Sequence, residues 1–156
     1  MKSLIVYDSY FDNTEKIAKA IAKELKYNKI KKVKDFKPQD LKDIDLLVVG
    51  SPTRAFNFSE NIKNFLTKIS KTELEGKKVV TFDTRIDHKE VKPKILGFLM
   101  KTFGYASEKI MKELVKKGGE EITKPEGFIV MDKEGPLKDG ELERTKKWVN
   151  SEILAN

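Results

Sequence analysis

Three short apolar stretches, each followed at once by a polar loop, constrain the fold of this chain more than any other feature. Residues 3–7 (SLIVY) lead into a loop at 8–13 and then into an amphipathic helix. Residues 46–50 (LLVVG) lead into SPTRAFNFS, and residues 78–83 (KVVTFD) lead into TRIDHK. Buried runs of this length that alternate with helices predict parallel strands covered on both faces. Because the carboxyl ends of parallel strands lie at one edge of the sheet, the three loops are expected to meet in one crevice.

The rest of the chain continues the alternation of strands and helices. Further strands are predicted at 30–36, as a partly exposed edge strand, and at 127–131; helices are predicted at 14–26, 59–70, 107–117 and 141–154. Residues 88–104 hold prolines and glycines around an apolar cluster, which predicts a loop with a short helix or turn that can cover a ligand. No linker divides the sequence. We therefore predict a single domain, residues 1–156, built as a three-layer, doubly wound α/β fold with a five-stranded parallel sheet.

Composition narrows the classes of function. The chain has no cysteine and one histidine, His88, so disulfides, thiolate metal ligands and a cysteine nucleophile are excluded. Asp83 and Asp87 beside this one histidine are weak evidence for a metal site, and none is predicted. A chain without cysteine suits a reducing compartment, and no apolar run reaches the roughly 20 residues that span a bilayer. We expect a cytoplasmic protein that does not enter the membrane.

The net charge of +7 comes from 32 Lys and Arg against 25 Asp and Glu. Most predicted helices intersperse their lysines with acids, and no aromatic residues alternate with the lysines to form a platform for bases. Nucleic acid is therefore not an expected partner. A basic surface favours partner proteins of acidic character.

The loop after the first strand carries the strongest functional motif. Its hydroxyl and amide side chains lie at the positive end of a predicted helix dipole, where a phosphate group binds well, and Asn13 or Asp12 can cap that helix. The loop resembles the phosphate loop of the flavodoxin family, which reads Thr/Ser-x-Thr/Ser-Gly-Asn-Thr. The resemblance covers essentially the whole chain and implies the strand order 2-1-3-4-5 and flavin mononucleotide (FMN) as cofactor. The loop residues expected to contact FMN are Ser9, Tyr10, Phe11, Asp12, Asn13 and Thr14.

Two positions of this loop depart from the family pattern. Phe11 replaces a hydroxyl residue and removes one hydrogen-bond donor, and Asp12 replaces a glycine. Aspartate tolerates left-handed backbone geometry, so the shape of the loop is expected to persist. A carboxylate about 7 Å from a phosphate charge costs about 2 kcal/mol at an effective dielectric constant near 20, and less if it points into water.

Two further loops extend the resemblance. The Gly-Ser-Pro-Thr segment after the third strand implies a loop along the flavin ring, formed by Ser51, Pro52, Thr53, Arg54, Ala55 and Phe56. Phe56 is the candidate for stacking on the ring, where it would lower the reduction potential; alternatively it packs the loop onto the following helix. Arg54 either stabilises the anionic reduced flavin or is solvated. By the same resemblance, the loop after the fourth strand implies backbone contacts to the pyrimidine edge of the flavin from Thr84, Arg85 and Ile86. Asp83, at the start of this loop, is included in the predicted site.

Three functions fit these residues. The first is a low-potential electron carrier between redox partner proteins, in which no side chain acts as acid, base or nucleophile. The second is an FMN-dependent oxidoreductase with a quinone or similar acceptor, suggested by the apolar segment 88–104. The third is a degenerate fold that has lost FMN, suggested by Phe11 and Asp12. A phosphoacceptor receiver domain is disfavoured because the third strand ends without an aspartate.

Overall fold

The computed structural model describes residues 1–156 and contains one parallel sheet flanked by helices. The strand order is β2-β1-β3-β4-β5, and β6 also pairs with β4. The predicted order 2-1-3-4-5 is therefore confirmed, with the fifth position shared by two short strands. The strands are β1 (Lys2–Tyr7), β2 (Tyr27–Lys32), β3 (Leu46–Pro52), β4 (Lys78–Ile86), β5 (Glu120–Glu121) and β6 (Glu126–Val130). The helices are α1 (Asn13–Glu24), α2 (Glu60–Thr67), α3 (Lys94–Phe103), α4 (Ala106–Lys116) and α5 (Glu141–Trp148).

The alternation of side chains along the central strands produces two separate cores. In β1, Leu4 and Val6 face one core while Ile5 and Tyr7 face the other. The first core is closed by apolar residues of α2 and α4, and the second by those of α1 and α5. The central strands are apolar throughout because helices cover both of their faces.

Two predicted elements differ from the structure, and one short strand was not predicted. The edge strand predicted at 30–36 lies instead at Tyr27–Lys32, because Val33 and Phe36 turn inward; the Phe36 ring packs edge-on against Phe65 at a centroid distance of 4.6 Å. The last strand, predicted at 127–131, is β6 (Glu126–Val130), and the two-residue strand β5 before it was not predicted. The short helix or turn predicted within 88–104 is the ten-residue helix α3. None of the helices is both long and apolar enough to cross a membrane.

A buried carboxylate fixes α5 to the edge of the sheet. Glu141 accepts hydrogen bonds from the Ile129 backbone N–H at 2.7 Å and from Arg144 Nη2 at 2.7 Å. Burial opposes ionisation, but these hydrogen bonds outweigh it and lower the pKa of Glu141 below its ordinary value of 4.5. The ionised carboxylate therefore stabilises the folded state.

Glu141→Gln is expected to lower the free energy of unfolding by about 2 kcal/mol at pH 7, because charged hydrogen bonds are lost. A carboxyl group with a lowered folded-state pKa contributes stability above its unfolded pKa and loses it as the pH falls through the folded value. The difference from the wild type should thus shrink as the pH falls below about 4.5, the ordinary glutamate value. Urea unfolding at pH 7 and pH 3 measures it, with the exposed Glu143→Gln as control. A difference that grows in acid would contradict this account.

Candidate functional site

A cavity of about 500 Å³ opens at the carboxyl ends of β1, β3 and β4. This volume lies within the usual range for cofactor sites. All three polar loops contribute to its wall, so the predicted crevice is present. The lining residues are Ser9, Tyr10, Phe11, Asn13, Thr14, Pro52, Thr53, Arg54, Ala55, Thr84, Arg85, Ile86, Val130 and Lys133. Four residues of the predicted site do not line it: Asp12, Ser51, Phe56 and Asp83.

The β1–α1 loop holds a row of backbone amides that have no partner within the protein. The backbone N–H groups of residues 9–14 donate no hydrogen bond within the protein, and they precede or begin α1. The Ser9 Oγ accepts a long bond from the Glu15 N–H at 3.4 Å, so its own hydrogen is free to donate. Thr14 Oγ1 lies 2.8 Å from Thr84 Oγ1, which connects this loop to β4. Unpaired amides at the positive end of a helix form an anion site.

Asp12 has the backbone that the sequence predicts but not the capping role. Its φ of 63° is left-handed, which a glycine adopts without strain and an aspartate adopts tolerably. Its side chain is exposed and makes no capping hydrogen bond. Asn13 does not cap the helix either: it is the first residue of α1, and its side chain is directed to the Glu134 carbonyl, to which its Nδ2 donates at 3.0 Å. The helix N-terminus is thus left without a side-chain cap.

A turn far along the chain completes this end of the cavity. Gly135 packs so closely on Asn13 that a Cβ at position 135 would lie 2.6 Å from Asn13 Nδ2. Together with the bond from Asn13 to Glu134, this contact holds the 132–136 turn against the β1–α1 loop. Lys133 consequently lines the cavity, and it forms no ion pair. The sequence analysis did not identify Lys133 and Val130 as residues that line the cavity, because no local sequence pattern indicates which turn packs beside the first loop.

The β3–α2 loop turns back on itself through two residues of positive φ. Arg54 and Asn57 exchange backbone hydrogen bonds of 2.9 Å in both directions, and Ala55 and Phe56 between them have φ of 45° and 64°. Such a turn ordinarily contains glycine or asparagine, so its backbone is strained here. Lys109 donates a hydrogen bond to the Phe56 carbonyl and holds the turn in place. Ser51 lies beneath it, fully buried, with its Oγ accepting from the Ser59 N–H at 3.1 Å.

Phe56 does not face the cavity. Its ring lies 5.7 Å from that of Phe103 on α3, and it lines an adjoining, smaller cavity of about 280 Å³ with Leu96 and Met100. The structure therefore places Phe56 in a packing role, although against α3 rather than against the helix that follows it in the chain. The segment 88–104 lies beside the main cavity and does not line it.

Arg54 faces the main cavity without a polar partner. Its guanidinium carbon lies 4.7 Å from the ring centroid of Tyr10 and 5.2 Å from that of Phe11. One terminal nitrogen, Nη2, is buried and has no hydrogen-bond partner. The predicted alternative of a solvated arginine is therefore wrong for this atom. Because an unsatisfied buried donor is costly, the site favours an acceptor or an anion beside Arg54.

The second arginine of the cavity is already neutralised. Asp83 is fully buried, and both of its oxygens accept from Arg85, each at 2.6 Å. Burial alone would lower the pKa of Arg85, but the Asp83 carboxylate outweighs it and raises this pKa. The Ser107 N–H also donates to Asp83, at 3.0 Å. Asp83 is thus a buried support for Arg85 and β4, and it does not line the cavity although it was included in the predicted site.

Comparison with known proteins agrees with this geometry. The family model described as a flavodoxin domain matches residues 4–126. The chain belongs to the flavodoxin-domain family. It is 33% identical to an uncharacterized protein of Methanocaldococcus jannaschii over the full length of both chains. The family match over residues 4–126 agrees with the resemblance that the three loops carry.

Solved structures of the flavodoxin fold superpose on the chain despite low identity. An archaeal flavodoxin matches with a TM-score of 0.73, 19% identity, and 94% of this chain against 92% of that one. Oxidised flavodoxin 2 from Bacillus cereus matches over the whole of both chains with a TM-score of 0.75 and 20% identity. The chain also matches 35% of rubredoxin oxygen:oxidoreductase from Desulfovibrio gigas, with a TM-score of 0.71 and 20% identity. The flavodoxin-domain fold occurs both alone and as part of a larger protein.

Proposed function

We propose that this flavodoxin-domain protein binds FMN and carries electrons between redox partner proteins. The observation that carries the proposal is the row of unpaired backbone N–H groups at residues 9–14 beside a cavity of cofactor size. The family supports the choice of cofactor, and the lining suits it: amides and hydroxyls of the β1–α1 loop for a phosphate, and apolar walls with Arg54, which lies against the Tyr10 and Phe11 rings, for the ring system. Bound FMN would supply the redox chemistry, and the protein would supply its position and dielectric surroundings.

The side chains of this site divide into two roles. Ser9 and Thr14, with the amides around them, are proposed to hold the phosphate, and Lys133 would add a positive charge there that offsets Asp12. The 52–55 loop and residues 84–86 would hold the ring system. No side chain is required as acid, base or nucleophile. The net charge of +7 supports partner proteins of acidic character.

A second candidate function is favoured by one observation. The smaller cavity shares Thr53, Ala55, Arg85 and Ile86 with the main one, and its other walls are mostly apolar. Such a space suits a small apolar acceptor beside the flavin, as in an FMN-dependent oxidoreductase that reduces quinones. Steady-state turnover with a nicotinamide donor and a soluble quinone distinguishes the two functions, because a protein that only carries electrons shows little turnover.

Titration of FMN and of riboflavin, followed by flavin fluorescence quenching, tests the proposal. FMN is expected to bind more tightly than riboflavin, which lacks the phosphate. Lys133→Gln is expected to raise the Kd for FMN about fivefold at low salt and to leave that for riboflavin unchanged, with the difference fading at high salt. Lys138→Gln, an exposed lysine just after this turn and outside the cavity lining, is the control. Absence of quenching by the wild type would refute FMN binding and favour a fold that has lost its cofactor.

A further inference from the structure

Of the two arginines that line the cavity, one has its charge neutralised by a carboxylate and the other does not. Arg85 is held by the buried Asp83 carboxylate, whereas Arg54 has no carboxylate within ion-pair distance. Lys133 is exposed and lies in the turn beside the phosphate loop. The half-buried Arg54 guanidinium is therefore the uncompensated positive charge on the side of the cavity formed by the β3–α2 loop.

The surroundings of Arg54 hold it in place without neutralising it. The rings of Tyr10 and Phe11 attract the cation by their electron-rich faces, which orients the guanidinium but leaves its full charge. Its position bridges the β1–α1 and β3–α2 loops. The buried Nη2 still lacks an acceptor. A ligand that gains negative charge beside this nitrogen therefore gains a stabilising interaction that its neutral form does not have.

We propose, resting on the proposed function, that Arg54 makes the site select the reduced, anionic form of FMN over the oxidised form and so raises the reduction potential. Reduction adds two electrons, from a redox partner protein, and one proton to the neutral oxidised ring, which leaves one net negative charge on it. Phe56, the residue expected to oppose this by stacking on the ring, is turned toward Phe103 instead. The inference thus departs from the low-potential carrier that the sequence alone suggests.

If Arg54 has this role, the protein binds reduced FMN and oxidised FMN with affinities whose ratio depends on Arg54. A residue that favours one redox form by a given factor in Kd shifts the midpoint potential by the corresponding free energy, about 30 mV per factor of ten for a two-electron couple. A residue that only shapes the loop would change both affinities by the same factor and leave the potential unchanged. The midpoint potential of the bound flavin is therefore the readout that a merely structural role does not move.

The test uses the FMN-loaded wild type and the variants Arg54→Gln and Arg54→Lys, titrated with dithionite at pH 7 in the presence of redox dyes. Arg54→Gln is expected to weaken binding of reduced FMN about tenfold relative to oxidised FMN, lowering the midpoint by about 30 mV. Arg54→Lys retains the charge and is expected to change the ratio of the Kd values for oxidised and reduced FMN less than threefold. Lys146→Gln removes a positive charge from α5, away from the cavity lining, and should leave the ratio unchanged.

Several outcomes overturn the proposal, and each is distinct from failure of FMN binding. An unchanged or raised midpoint in Arg54→Gln refutes it, as does a fall in Arg54→Lys as large as that in Arg54→Gln. If Arg54→Gln does not retain FMN, Arg54→Lys is compared with the wild type instead. A large change in the ratio of the Kd values for oxidised and reduced FMN in this variant, which keeps the charge, would contradict the electrostatic role. A wild type that binds no FMN removes the proposed function itself, and the inference about Arg54 with it.

Discussion

Asp83→Asn is expected to lower the free energy of unfolding by about 3 kcal/mol at pH 7, because removing one partner of a buried ion pair leaves the other charge without compensation. Asp83 is fully buried, while the Arg85 side chain is 16% exposed. An asparagine retains the size of the side chain but offers one acceptor oxygen in place of two. Arg85 would then lose one of its two 2.6 Å hydrogen bonds. Urea unfolding followed by circular dichroism measures the change.

Two further variants show whether charge or shape is responsible. Asp139→Asn removes an exposed carboxylate and is expected to change stability by less than about 0.5 kcal/mol. The double variant Asp83→Asn with Arg85→Met removes both charges and should recover more than half of the loss, since an uncharged buried pair costs little. If Asp83→Asn costs no more than the exposed control, Asp83 is not the support of β4 that its contacts indicate.

The fold was predictable because it follows from local patterns. Residues 46–49 of β3, for example, are apolar at successive positions, which is typical of a strand covered on both faces. The convergence of the three loops then follows from parallel pairing alone, as the registers Tyr7 with Gly50 and Gly50 with Phe82 confirm. The left-handed backbone of Asp12 was also predicted, because the family pattern has glycine at this position and aspartate tolerates the same geometry.

The parts of the site that were missed depend on contacts between distant segments. Lys133 reaches the cavity only because Gly135 packs on Asn13, which lies more than a hundred positions earlier in the chain. The orientation of Phe56 depends on Phe103, whose helix was predicted only as a short helix or turn. Asp83 was included in the predicted site because the family resemblance extends over the end of the fourth strand, but its carboxylate binds the guanidinium of Arg85 two residues later. Sequence spacing does not encode which of several polar partners a side chain meets.

Gly50→Ala is expected to lower the free energy of unfolding by about 3 kcal/mol, the upper end of the usual cost of overpacking. A Cβ at this position would lie 2.1 Å from Cζ of the Phe82 ring. That ring is fully buried and meets Phe128 edge-on at 6.3 Å, so it has little room to move. Gly76→Ala is the control: its φ of 73° strains an alanine, but nothing lies within 4 Å of the added Cβ, and about 1 kcal/mol is expected.

A smaller side chain at position 82 should relieve the clash. Phe82→Leu alone leaves a cavity and is expected to cost about 2 kcal/mol. In that background, Gly50→Ala should cost about 1 kcal/mol, so the two changes couple by about 2 kcal/mol in urea unfolding. Strict additivity would mean that the cost of alanine comes from the β3 backbone and not from the Phe82 ring. Because Gly50 immediately precedes Ser51 and Pro52, its close contact with Phe82 also sets where the second loop of the cavity begins.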